Sequence, residues 1–263
     1  MKKYLKLLVD NRKSSLSKPL TLSKNMSGDE VTLYIYDIIV SDEYMAEWMG
    51  GISPESFVKT LSEIEAKKIH LRINSPGGDV FAARAIEQAL REHPATVVAH
   101  IDGYAASAAS FIAMAADEVE MSPGAFFMIH KAWTGAAGNS DELLSVAALL
   151  EKIDGSLVKT YATRTSQSEE SIEKWMTAET WFSAEESVEL GFADRIASNS
   201  KKDSETTENQ LQSYSSHWNL SVYKNAPNCD QLPSKTPTEN QTIKTQNYLN
   251  HLRRQLRLIE KAA

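Results

Sequence analysis

The chain has 263 residues, 42% of them hydrophobic, with 28 basic and 35 acidic side chains and a formal net charge of −7. Its length and apolar fraction suffice for one large domain or two small ones, which excludes a collagen-like or wholly disordered chain. The single cysteine, Cys229, cannot form an internal disulfide, and no Cys/His cluster has zinc-ligand spacing, so we expect a reducing compartment, no metal and no cofactor.

Charge is unevenly distributed along the chain. Residues 1–28 form a basic arm of net charge +6, residues 29–198 carry −16, residues 199–247 are neutral and residues 248–263 carry +3. The acidic body argues against nucleic-acid binding, while the basic ends suit acidic partners. The apolar run near the N-terminus is too short for a signal peptide, and no stretch approaches the roughly 18 apolar residues of a membrane span. We therefore expect a cytoplasmic protein with no membrane contact.

From residue 31 onward, short β-rich runs alternate with helical patterns. The predicted strands are 31–40, 69–74, 96–101, 125–130 and 192–197. The predicted helices are 52–66, capped by Ser53 and Pro54; 80–93, stopped before Pro94; 141–163, capped by Ser140; and one from the capping box of Ser183 and Glu186 to Gly191. Alternation of this kind predicts an α/β fold with right-handed parallel crossovers.

The C-terminal part of the chain has a different composition. About half of residues 199–247 are Ser, Thr, Asn or Gln, which predicts a flexible linker. Residues 248–263 place Leu249, Leu252, Leu256 and Ile259 on one helical stripe. Because so short an amphipathic helix is marginal alone, we expect it to need a partner surface.

Three segments follow predicted strands, where open α/β folds place their sites. The first is the turn 74–79, in which Gly77 and Gly78 would let backbone N–H groups approach a ligand, although an ordinary βα turn has the same pattern. The second is the alanine-flanked Ser107, which could project from a tight bend or simply lie in a buried alanine-rich helix. The third is His130, which alone is weak evidence for a general base but is the best histidine candidate by elimination.

Taken in order, these segments resemble one family. Ser-Pro-Gly-Gly, Gly-x-Ala-Ala-Ser, Met-Ile-His and an acidic residue before Phe-Ser-Ala-x-Glu are similar to the proteolytic subunit of the Clp protease and its phage-encoded relatives. The resemblance covers residues 31–197 and leaves out both ends. It implies a ClpP/crotonase-like spiral of βαβ units, with 141–163 as a protruding handle helix.

The resemblance also implies roles for individual residues. Ser107 matches the nucleophile, and His130 matches the general base. Gly78 and Ala108 match the pair of backbone N–H donors of the oxyanion hole. The third catalytic member is usually aspartate in this family, and Glu179 stands at the matching position. Glutamate carries the same charge, and Asp154 is the alternative if Glu179 is not the partner.

The resemblance implies heptameric rings stacked around a chamber in which protein or peptide substrates are cleaved. The chain has no G-x-x-x-x-G-K-[ST] phosphate loop, so unfolding would require a separate Clp ATPase. Because the polar extension and end helix are not features of the housekeeping subunit, we hypothesise a phage or prophage head-maturation protease. It would act in the host cytoplasm or inside proheads, with residues 248–263 contacting capsid or portal proteins.

Four alternatives remain open at this point. The chain could be a housekeeping-type subunit working with an ATPase, or a nonenzymatic assembly ring, which an intact Ser107 and His130 disfavour. A crotonase-type acyl-CoA enzyme would share the fold but not the serine and histidine. A membrane-bound peptidase with a Ser-Lys dyad is disfavoured because His130 is present beside Lys131.

Overall fold

The computed structural model describes residues 22–24, 29–198 and 220–227, all of which belong to the unit Met1–Pro227. The predicted helix at 248–263 and most of the predicted linker lie outside the described residues. Within the described part, strands and helices alternate around one sheet, and the molecule is a mixed α/β protein.

The sheet contains eight of the described segments. They are β1 (Leu22–Lys24), β2 (Glu30–Ile35), β3 (Lys68–Ser75), β4 (Thr96–Ala106), β5 (Glu118–Met121), β6 (Phe126–Ile129), β7 (Thr180–Ser183) and β8 (Arg195–Ile196). The main path runs β1-β2-β3-β4-β5-β8. Strands β6 and β7 lie off this path, where β6 pairs with both β4 and β7. Pairing is parallel throughout except for β1 with β2 and β6 with β7.

The helices connect these strands. They are α1 (Glu43–Met49), α2 (Pro54–Ser62), α3 (Val80–Glu92), α4 (Ala108–Ala113), α5 (Ser140–Thr165), α6 (Glu169–Ala178) and α7 (Ala184–Leu190). Three expected caps are confirmed: Ser53 caps α2, and Ser183 with Glu186 forms the capping box of α7, which Gly191 ends. The cap predicted at Ser140 is wrong, because Asn139 forms a capping box with Glu142 one residue earlier.

One strand, β4, divides the sheet and so determines where the site forms. Its first half pairs with β5 at Val98–Ile101, and its second half pairs with β6 at Tyr104–Ala106. The change of partner falls at Asp102 and Gly103. The C-terminal end of β4 therefore leaves β5, stays paired with β3 at Ser75 and Ala105, and pairs with β6 on its other side.

The core lies between this sheet and the helices that cover it. Residues of β2 and β3 alternate between buried and half-buried, so one face packs against apolar helix residues and the other carries polar side chains. The longest helix, α5, is buried only near its C-terminal end, at Leu157, Val158, Tyr161 and Thr165. Its N-terminal half is exposed, including Leu143 and Leu144, as a protruding handle would be.

One predicted strand is shorter in the structure than in the sequence-based prediction. The predicted strand 31–40 ends at Ile35, because the Asp37 carboxylate accepts a hydrogen bond from Ile38 N–H and turns the chain. Beyond that turn, Ile39 bridges to Ile52 and Gly78 as an isolated residue. The short elements β1, α1, β5, α6 and β7 were not predicted, because their residues show too little periodicity.

Eight residues of the predicted linker pack onto the body of the protein. Leu220, Val222 and Tyr223 are buried, in a cluster with Ile38, Val40, Met49, Ala106 and Met128. The prediction of a flexible linker does not hold for these three residues, because their apolar side chains are buried in a groove of the body. The polar composition of the whole segment gave no sign of this packing.

Candidate active site

The C-terminal ends of neighbouring strands bring the predicted site residues together. Ser107 follows β4 directly, and His130 follows β6 directly. The glycine turn at 75–79 follows β3, which pairs with β4. Because β3, β4 and β6 run parallel, all three ends meet at one edge of the sheet.

Ser107 lies in a strained turn between β4 and α4. Its backbone has φ 53° and ψ −124°, a conformation that costs a non-glycine residue on the order of 1–3 kcal/mol. Two hydrogen bonds hold it there: Ser107 N–H donates to Met128 O at 2.9 Å, and Ser110 N–H donates to Ser107 O at 2.9 Å. The turn directs the half-buried Ser107 side chain toward the end of β6.

His130 is in hydrogen-bond contact with this serine. The distance between His130 Nε2 and Ser107 Oγ is 2.7 Å, within the range expected for a hydroxyl and an imidazole nitrogen. A neutral imidazole with this geometry can accept the hydroxyl proton while the oxygen attacks an electrophile. The pair therefore has the arrangement of an activated nucleophile.

The segment after His130 is fixed by two helices. Lys131 N–H donates to Met176 O at 3.1 Å, and Ala132 N–H donates to the Asp154 carboxylate at 2.7 Å. Burial raises the pKa of Asp154, which the bond to Ala132 N–H and the charge of Lys131 partly oppose. Asp154 thus holds the backbone that follows His130.

Glu179 approaches His130 through the antiparallel pairing of β6 and β7. The register ends with Ile129 opposite Thr180, so His130 and Glu179 are the next residues along the two chains beyond the paired strands. Glu179 also lies in the left-handed region, at φ 53°, immediately after α6. Both residues line one cavity of about 590 Å³.

The glycine turn packs against the serine turn and explains why glycine is needed there. A Cβ on Gly77 would lie 2.5 Å from Ala106 O and 2.8 Å from Ser107 Cβ. At Gly78, with φ 148°, a Cβ would collide with Ile39 O. No other residue type fits either position without moving the loop.

The backbone N–H groups of Gly78 and Ala108, the predicted oxyanion donors, belong to the two turns that pack together at Ser107. Ile39 bonds to Gly77 O and Asp79 N–H, each at 2.9 Å, so the N–H of the intervening Gly78 points away from Ile39. Ala108 begins α4, where the first N–H groups of a helix have no intrahelical acceptor. The two donors flank the serine turn from different segments.

The second serine of the motif has a structural role. Ser110 is fully buried, and its hydroxyl bonds to Ser107 O at 2.5 Å and to Tyr161 OH at 2.7 Å. It therefore ties the strained turn to the long helix α5. Ser110 is therefore a serine tolerated in a buried helix. From the sequence alone, this structural role could not be told apart from the role predicted for Ser107.

Sequence reasoning missed two residues at the site. Tyr223 packs edge-on against the His130 ring, with centroids 5.6 Å apart, and Asn225 N–H donates to Glu179 Oε1 at 2.7 Å. Both come from the polar segment nearly a hundred residues after His130. Only the apolar character of Val222 and Tyr223 within that segment could have indicated a packed position.

Among the residues that the structure describes, no group of three or more His, Cys, Asp or Glu side chains could hold a metal ion. No helix in the same part of the chain is long and apolar enough to cross a membrane.

The fold and the site define a mixed α/β protein with a serine–histidine pair at the ends of parallel strands, and sequence comparison gives its family. The sequence profile of the family described as Clp protease matches residues 52–200. The ATP-dependent Clp protease proteolytic subunit 2 of Treponema denticola is 35% identical over 184 residues, which is 68% of this chain and 92% of that protein.

Two other relatives have the same description. The ATP-dependent Clp protease proteolytic subunit 1 of Streptomyces avermitilis is 35% identical over 130 residues, covering 49% of this chain and 60% of the relative. The proteolytic subunit of Streptococcus pneumoniae is 34% identical over 137 residues, covering 51% and 70%. The chain belongs to the Clp protease family.

Proposed function

We propose that this protein is a serine endopeptidase in which Ser107 is the nucleophile and His130 the general base. The single observation that carries this proposal is the 2.7 Å contact between Ser107 Oγ and His130 Nε2 at a strained turn. Membership of a protease family supports it independently.

The reaction is an acyl transfer through an ester intermediate. Ser107 Oγ attacks the peptide carbonyl carbon while His130 Nε2 takes the hydroxyl proton, which it then gives to the leaving amine. The N–H groups of Gly78 and Ala108 stabilise the oxyanion, and loss of one such donor typically costs about 100- to 1,000-fold in rate. Water, deprotonated by His130, then hydrolyses the acyl ester.

Glu179 is the proposed partner of His130. It would hold the imidazole in the productive tautomer and stabilise the imidazolium that forms. Two observations support Glu179 over Asp154: Glu179 lines the same cavity as His130, whereas the Asp154 carboxylate bonds to the backbone of Ala132.

Labelling of the full-length protein with a fluorophosphonate tests the proposal. Labelling should map to Ser107, and Ser107→Ala should abolish both labelling and peptide hydrolysis while retaining the fold. Ser110→Ala is the control and should still be labelled at Ser107, although more slowly, because the Ser110 hydroxyl supports the turn through Ser107 O and Tyr161 OH and does not bond to His130. Hydrolysis that persists in purified Ser107→Ala protein would contradict the assignment.

We further propose that the subunit self-associates into rings, heptameric or stacked heptameric, and that it cleaves protein or peptide substrates as a phage or prophage head-maturation protease. The support is the polar extension and the amphipathic segment 248–263, whose arginines suit contact with capsid or portal proteins. Its place of action would be the host cytoplasm or the prohead. Co-purification with proheads favours this role, whereas stimulation of hydrolysis by a Clp ATPase favours the housekeeping role.

A further inference from the structure

The active-site groove is filled by the protein's own chain. The apolar side chains of Leu220, Val222 and Tyr223 are each at least 92% buried, against a wall formed by residues of α1, β4, β6 and the segment around Ile39. The members of that wall are Ile38, Val40, Met49, Ala106 and Met128. Ala106 immediately precedes Ser107, so this groove leads directly to the serine.

Tyr223 reaches the reacting groups themselves. Its hydroxyl donates to Pro76 O at 2.5 Å, on the turn that carries Gly78. Its ring contacts the His130 ring edge-on at 5.6 Å and the Trp181 ring at 5.9 Å. The tyrosine side chain therefore stands where a substrate carbonyl would have to approach Ser107.

A second set of contacts holds the proposed partner of His130. Asn225 N–H donates to Glu179 Oε1 at 2.7 Å, and Asn225 Nδ2 donates to Ala178 O at 2.7 Å and to Glu179 O at 3.1 Å. The segment thus contacts both the histidine and the glutamate.

The conformation of the segment is that of a block rather than a substrate. Tyr223 N–H donates to Leu220 O at 2.9 Å, which closes a turn, whereas a cleavable peptide must present an extended carbonyl to the nucleophile. The group that the segment places against His130 is a phenol, which has no carbonyl carbon for Ser107 to attack.

We propose that residues 220–227 are an autoinhibitory plug, which occupies the active-site groove and must leave before a peptide reaches Ser107. The inference rests on the proposed peptidase function. It gives the C-terminal extension a second role: whatever binds the chain beyond Pro227 can withdraw the plug and switch on hydrolysis. A protease made in a crowded cytoplasm would thereby stay inactive until it is assembled.

The rate of fluorophosphonate labelling at Ser107 in the full-length chain tests the plug. Minor open states are commonly populated at about 0.1–10%, so Tyr223→Ala should raise the labelling rate roughly 10- to 1,000-fold over wild type. Tyr223→Phe keeps the ring but loses the hydroxyl bonds and should give a smaller rise, about two- to ten-fold. Tyr44→Ala is the matched control, since that tyrosine is 74% exposed, and its rate should equal wild type.

A peptide added in trans distinguishes release from misfolding. The eight-residue peptide of sequence 220–227 should slow labelling of the Tyr223→Ala protein, and the same peptide with alanine in place of tyrosine should not. If Tyr223→Ala unfolds, the labelling rate of the Tyr223→Phe protein tests the plug in its place.

The outcomes separate the two proposals. Equal labelling of wild type and both Tyr223 variants, at Ser107, would overturn the plug and leave the peptidase function intact. Labelling of none of them at Ser107 would overturn both. Mass spectrometry should find the segment uncut in the wild-type protein, and cleavage within 220–227 would make it a substrate instead.

Discussion

Histidine occurs in two groups of polar side chains in this protein, and the groups differ in what surrounds the imidazole. At the end of β6, His130 contacts Ser107 and lines one cavity together with Glu179. On the polar face of the sheet, His70 Nδ1 and His100 Nε2 lie 2.8 Å apart, and His100 Nδ1 bonds to Glu120 at 3.0 Å. Each group includes a carboxylate, but only in the first does a serine hydroxyl contact the imidazole.

The difference follows from where the side chains stand along their strands. His70 and His100 lie within β3 and β4, where each residue is held in regular strand pairing. Ser107 and Glu179 lie just beyond strand or helix ends, and they are two of the three non-glycine residues with positive φ in the described part of the chain. Strained backbone at element ends can direct side chains into a cavity, whereas side chains within a strand pack against one another.

Glutamine in place of Glu179 or Glu120 should give the largest difference in peptide hydrolysis between the two groups. In a Tyr223→Ala background, Glu179→Gln should lower peptide hydrolysis about 10²- to 10⁴-fold, because the amide favours the wrong imidazole tautomer. Glu120→Gln should leave hydrolysis unchanged and lower the free energy of unfolding by about 1 kcal/mol, through loss of its bonds to His100 and Arg195.

Both effects are measured by steady-state hydrolysis and urea unfolding of the same preparations. If Glu179→Gln keeps wild-type hydrolysis while Asp154→Asn loses it, the partner of His130 is Asp154 and not Glu179. A loss of hydrolysis in Glu120→Gln would show that the group around His100 affects the reaction at Ser107.

Alanine at Gly77 should disturb the strained end, and Gly124→Ala is its control. Both glycines have similar positive φ, 86° and 79°, so each substitution costs about 1–2 kcal/mol from the backbone alone. Only the Gly77 Cβ meets the turn that carries Ser107, while the Gly124 Cβ has nothing within 4 Å.

We therefore expect Gly77→Ala to lower Ser107 labelling about 100-fold, as displacements near 1 Å do, and Gly124→Ala to leave the labelling rate at the wild-type value. Unfolding in urea should show a larger loss of stability for Gly77→Ala. Equal loss of labelling in both variants would mean that general destabilisation, rather than the clash at Ser107, is responsible.

The smallest expected effect concerns the polar histidine pair and pH. Burial lowers the pKa of His100 below its ordinary value of 6.5; the bond to Glu120 opposes this, and the charge of Arg72 adds to it. The unfolded chain thus binds more protons than the folded one below pH 6.5, so the free energy of unfolding should fall as the pH drops through that range. His100→Gln should flatten this dependence in urea titrations, and an unchanged slope would contradict it.

Much of the site could be predicted from sequence because its motifs are local. The glycines, Ser107 and His130 each follow a strand whose apolar pattern is readable, and capping residues such as Ser53 and Ser183 fixed helix starts. The resemblance to the Clp protease proteolytic subunit added their order along the chain, and family membership is now established. The roles of Ser107, His130, Glu179, Gly78 and Ala108 stay predictions.

What the sequence by itself determined, then, was the alternation of strands and helices, the family and the segments that carry chemistry, because these depend on neighbouring residues. The tertiary structure decided which serine meets His130, that Asp154 bonds to the backbone of Ala132, and that Tyr223 packs against the His130 ring. Those outcomes depend on the change of partner along β4 and on packing between residues up to about a hundred positions apart. No local pattern encodes such distances, because contacts of that kind form only when separate strands and segments come together in the folded chain.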